Sequence, residues 1–65
     1  ESSFAHQDLY LALRTLPPKE RSAITLFYLN GYSIKEIATI TESSEDAVKQ
    51  QLSRGRNKLK ERLKI

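Results

Sequence analysis

The chain has 65 residues, room for one small domain and little room for a substrate pocket. Hydrophobic residues make up 38% and charged residues 29%, a globular balance, and the formal net charge is +3. Zero cysteines and a single histidine exclude disulfide frameworks and zinc fingers and fit a reducing compartment.

Four helices are predicted, with no strand pattern and no repeat. The first runs from about Phe4 to Thr15. Leu9, Ala12, Leu13 and Leu16 recur at i, i+3, i+4 and i+7, the stripe of an amphipathic helix, and Ser3 is the expected N-cap. Leu16 precedes Pro17, which pushes it out of the helical region and ends the helix. Pro18 suits the first position of a second helix, where its missing N–H costs nothing. That helix carries Ile24, Phe27 and Tyr28 on one expected face and stops at Asn30-Gly31, with Gly31 as the left-handed residue. Ser33-Ile34-Lys35-Glu36 is a capping box and opens a short third helix, Ile34 to about Ile40, with Ile37 and Ala38 facing in. Thr41-Glu42-Ser43 forms a turn. Ser44 caps the fourth helix, with Glu45 and Asp46 in its first turn, where the dipole favours anions. Val48, Leu52, Gly55 and Leu59 mark its inward stripe, with Leu63 close to it. No apolar run approaches the roughly 18 residues of a membrane span, and no signal peptide is visible. The chain begins with Glu1 rather than Met, so residues 1–65 are read as one domain of a longer protein.

Charge divides the chain. Residues 1–46 carry four Lys/Arg and seven Asp/Glu, whereas residues 47–65 carry seven Lys/Arg against Glu61 alone. A basic segment of net +6 on an acidic body points to a polyanion. Cations at a helix C-terminus are also expected from the dipole, which accounts for Lys60 to Lys64 but not for Lys49 or Arg54.

A short helix, a tight turn and a longer helix make a helix-turn-helix over about residues 33–62. The second helix of that motif enters the major groove with its N-terminal part. With Val48 to Leu59 turned inward, Asp46, Gln50, Ser53 and Asn57 point outward, and Lys49 and Arg54 flank them. Lys and Arg can take guanine and Gln can take adenine, so these are groove-reading types. An ordinary helical hairpin with a charged outer face is the alternative.

Three stretches carry a resemblance: Leu16-Pro17-Pro18-Lys19-Glu20-Arg21, Gly31-Tyr32-Ser33-Ile34-Lys35-Glu36-Ile37-Ala38, and Val48-Lys49-Gln50-Gln51-Leu52-Ser53-Arg54-Gly55-Arg56. Together, from about Leu9 to Leu63, they resemble region four of bacterial sigma factors, most nearly the extracytoplasmic-function type. The resemblance implies an all-α, four-helix domain of the winged-helix-like or sigma region 4 type. It also implies binding to the minus-35 promoter element, docking on the β flap of the RNA polymerase core, cover by an anti-sigma factor in many members, and a place in the bacterial cytoplasm. By position, base reading falls on Lys49, Gln50, Ser53 and Arg54, the surface that the helical geometry also selects. Phosphate contacts are expected at Ser44, Arg56, Asn57 and Lys35. Leu11, Leu26 and Leu29 lie off the main stripes; burial on both sides of the central helix is one reading of them, a partner-binding surface the other.

Two departures stand out. The family's hydrophobic-Gly-hydrophobic turn is replaced by Thr41-Glu42-Ser43, so a looser or reshaped turn is expected. Gly55 stands where Ala is usual, at a cost of about 0.5–1 kcal/mol in helix propensity. His6 beside Ser2, Ser3 and Asp8 makes no catalytic set, and no cofactor motif is present. Glu20, Glu36, Glu42, Glu45 and Asp46 match no calcium loop and read as capping and solvated groups. An output domain of a response-regulator type and a pure protein-interaction module remain the other function classes.

Overall fold

The computed structural model describes residues 2–63, and side chains over residues 8–63. It contains α1 (Ser2–Leu13), α2 (Pro18–Ile24) running into a π-helical turn (Thr25–Leu29), α3 (Ile34–Ile40) and α4 (Glu45–Leu63). No strand occurs among the described residues.

α1 starts before the expected cap, so Ser3 sits inside its first turn; the side chains of Ser2, Ser3, Phe4 and His6 lie outside the described residues. It also ends at Leu13, two residues short of the expected Thr15. The helix tightens there, with Thr15 N donating to Ala12 O at 3.1 Å and Leu16 N to Leu13 O at 3.1 Å. The Thr15 hydroxyl donates to the same Ala12 carbonyl at 2.6 Å, giving it a second donor. Leu16 still reaches the core, because the tightened turn folds it back under α1 before Pro17 restarts the chain.

Pro18 is in the first turn of α2, as its lack of an N–H dictates. Asn30 N donates to Thr25 O at 3.1 Å, a five-residue step, and Tyr32 N closes the end on Leu26 O at 2.9 Å. Gly31 takes φ 79°, the left-handed conformation that stops the helix. The wider π turn alters the register expected from a regular helix. Phe27 remains packed against the core, but Tyr28, expected beside it, is 51% exposed. Their rings meet edge to face, with centroids 4.9 Å apart.

The core is one cluster drawn from every helix, with Ile37 and Val48 completely buried. Its tightest point is the crossing of α2 over α4. A Cβ placed on Gly55 would stand 2.8 Å from Ile24 Cγ1 and 3.2 Å from Cδ1. Gly55 is therefore a spacing residue, and its poor helix propensity is offset by the closer approach of two buried faces. Glu20 sits at the same crossing and is buried, contrary to its reading as a solvated group. Its Oε1 lies 2.9 Å from Lys58 Nζ, an ionic contact without directed hydrogen-bond geometry. Lys58 is thereby tied to α2.

Gly55→Ala should gain about 1 kcal/mol of helix propensity and lose about 1–3 kcal/mol to overpacking, lowering the melting temperature. In a double-mutant cycle by thermal unfolding, Ile24→Ala should cost less in the Gly55→Ala background than in the parent. Strict additivity would show that Ile24 is not what Gly55 makes room for.

Candidate nucleic-acid interface

The helix-turn-helix is assembled by side chains close in sequence. Glu36 N donates to Ser33 Oγ at 3.1 Å and Ser33 N to Glu36 Oε1 at 2.8 Å, completing the capping box that starts α3. The turn after α3 is closed by hydroxyls. Thr41 Oγ1 donates to Ile37 O at 2.8 Å and lies 3.0 Å from Ser43 Oγ, while Ser43 N donates to Ala38 O at 2.8 Å. Of the looser or reshaped turn expected here, the structure shows a reshaped one, in which hydrogen bonds stand in place of the apolar contacts that Thr41 and Ser43 cannot make. Glu42 takes φ 55°, so a side chain occupies the left-handed position that a glycine adopts freely. Ser44 Oγ then accepts from Ala47 N at 3.0 Å and caps α4. Ile37 and Ala38 bury against Val48 and Leu52, which sets the angle at which α4 leaves the turn.

With Val48, Leu52, Gly55 and Leu59 turned inward, Asp46, Lys49, Gln50, Ser53, Arg54 and Asn57 are all exposed. The four side chains expected to read bases thus share the outer half of α4 near its N-terminus. Among the described residues none of the four is held in a side-chain hydrogen bond or an ion pair. Gln50 and Arg54 line a shallow cleft with Gln51, Pro17, Pro18 and Lys19. Lys19 therefore joins Lys49 and Arg54 as a third cation at this face, one that sequence reasoning missed; its position at the start of α2 gave no sign that α2 begins beside α4. Ser44, Asn57 and Lys35 are also exposed, Lys35 on the neighbouring α3. Arg56 is different: its Nη1 donates to Tyr28 Oη in the π turn at 2.9 Å. Glu45 and Asp46 stand in the first turn of α4, where its dipole favours them. No group of acids and histidines that could hold a metal occurs among the described residues.

Leu11, Leu26 and Leu29 are not gathered in one place. Leu26 is half-buried against the core, whereas Leu11 is 57% and Leu29 43% exposed. Leu29 lines an apolar trough of about 330 Å³ with Leu9, Leu13, Tyr28, Leu59 and Leu63, and Arg56 and Lys60 stand on its walls. Leu11 faces a separate shallow trough beside Arg62. The continuous trough was not visible in the sequence, because it is lined by the edges of three helices rather than by any one stripe. No described helix is long and apolar enough to cross a membrane.

Residues 6–59 match the family described as sigma-70, region 4. A UPF0122 protein of Geobacillus sp. (strain WCH70) is 44% identical over 54 residues, covering 83% of this chain and 47% of that protein. The chain thus spans about half the length of this curated relative.

Glu42→Gly should stabilise the fold by about 1 kcal/mol or less, since glycine removes the left-handed strain but adds freedom to the unfolded chain. Chemical denaturation would measure the gain; a loss would mean that the Glu42 side chain has a stabilising contact of its own.

Proposed function

Because the chain belongs to the sigma-70 region 4 family, a DNA-binding helix-turn-helix family of transcription, we propose that it binds the minus-35 promoter element as part of a sigma-type factor that directs RNA polymerase to initiate. In this reading α4 enters the major groove. The carrying observation is the exposed face of Lys49, Gln50, Ser53 and Arg54, uncommitted among the described residues, on a segment of net +6. Gln50 and Arg54 stand one helical turn apart and reach neighbouring base steps. Ser44, Asn57 and Lys35 surround that face and serve the phosphates. Asp46 points outward, its carboxylate without a partner among the described residues, and is suited to accept from the amino group of a cytosine. The work of such a factor lies in the bacterial cytoplasm.

The trough supports a second contact, with protein rather than DNA. Contiguous exposed apolar surface marks a docking site, and Tyr28 and Leu29 are the exposed apolar residues of this one. We assign it to the RNA polymerase core through the β flap, with an anti-sigma factor as a competing occupant. The extracytoplasmic-function type belongs to this same proposal.

Binding to duplex DNA should weaken linearly in log salt, by about 0.9 for each phosphate neutralised. Arg54→Ala should lower affinity for the cognate element more than for scrambled duplex, by about 1–3 kcal/mol, while Lys60→Ala should lower both alike or neither. Equal losses on both duplexes for Arg54→Ala would move Arg54 to the phosphate class. Absence of binding even at low salt would leave the interaction-module reading.

A further inference from the structure

We propose that Tyr28 is a positioning residue for DNA binding: its hydroxyl holds Arg56 in the wall of the apolar trough and keeps that guanidinium off the phosphates. The inference rests on the DNA-binding reading above. Arg56 Nη1 donates to Tyr28 Oη at 2.9 Å across 28 positions of sequence, so the contact ties the π turn to the fourth turn of α4. The π turn brings Tyr28 to the surface there, and the Phe27 ring packs against it at 80°, centroids 4.9 Å apart. Arg56 leaves α4 about 100° round from the outward Asn57. From that position its long side chain has two directions. One runs along the trough, among Leu9, Leu13 and Leu59, where the Tyr28 hydroxyl is its polar partner among the described residues. The other runs outward, where Arg56 would extend the row made by Lys49 and Ser53 at i−7 and i−3. The structure shows the first.

The hydrogen bond to Tyr28 and the packing of the Arg56 stem along the apolar trough act together, and they hold the guanidinium against a single exposed phosphate contact. The same two side chains wall the trough that the docking reading uses. Any occupant that takes hold of Tyr28 or Arg56 must therefore change DNA affinity, and DNA must change the occupant's affinity by the same factor.

The test is a salt titration of the protein with a short duplex of arbitrary sequence, since phosphate contacts carry no sequence information. Tyr28→Phe removes only the hydroxyl. It should raise affinity at low salt about fivefold and steepen the log–log salt slope by about 0.9, one additional phosphate. Adding Arg56→Ala to Tyr28→Phe should return the slope to the parent value. An unchanged slope for Tyr28→Phe would overturn the inference while leaving DNA binding intact. A shallower slope would also overturn it, since Tyr28 would then be presenting Arg56 to the DNA. No binding by the parent at low salt would sink the DNA reading and this inference with it. Should Tyr28→Phe unfold, the parent decides by nuclear magnetic resonance. Adding duplex should shift Lys49 signals and leave the Arg56 guanidinium signals in place; a comparable shift at Arg56 would refute the latch.

Discussion

Everything in this domain hangs on how closely α2 can lie on α4. Gly55 has no side chain at the crossing, and Ile24 fills the space a methyl group would need. A helix interior ordinarily disfavours glycine. Here the loss is offset where burial matters most, since a chain this short has little core to spare. The close crossing also carries Glu20 into the interior and draws Lys58 across to meet it. A buried carboxylate without a cation would be costly, so the crossing and the ion pair depend on each other. α1 then covers the far end of α4, and α3 is left to set its N-terminal end.

The turn between α3 and α4 solves a local problem with local chemistry. Thr41 and Ser43 cannot supply apolar contacts, so their hydroxyls bond to each other and to carbonyls at the end of α3. Glu42 bears a left-handed backbone that glycine would take freely. The geometry of the motif survives because Ile37 and Val48, both completely buried, over-determine it from below. A strained residue on the surface is tolerated when the packing beneath it has only one arrangement.

α4 divides its charges between two tasks. Lys49, Gln50, Ser53 and Arg54 face outward and hold no intramolecular partner among the described residues. Arg56 and Lys58 are each committed to a partner on the segment running from Pro18 to Leu29, one on either side of the buried stripe. A count of basic residues along the sequence treats all of them alike. The fold does not: the cations of the fourth turn belong partly to the scaffold and to the apolar trough beside it.

The sequence by itself determined that there are four helices, the starts of α2, α3 and α4, and the inward stripes of α1 and α4. Each of these is set by interactions within a few residues: Pro18 at a helix start, the reciprocal Ser33–Glu36 bonds, Gly31 at φ 79°, Ser44 over the first turn of α4. The outer face of α4 was legible for the same reason, since a 3.6-residue period turns a list of positions into a surface. Helix ends and side-chain fates that depend on partners far along the chain were not legible. The π turn shifted Tyr28 out of the expected stripe, the crossing at Gly55 buried Glu20, and the edges of three helices made a trough that no single helix encodes. Local rules act over one turn of backbone. The trough, the buried ion pair and the Tyr28–Arg56 contact exist only once α1, α2 and α4 have packed, so tertiary structure alone decided them.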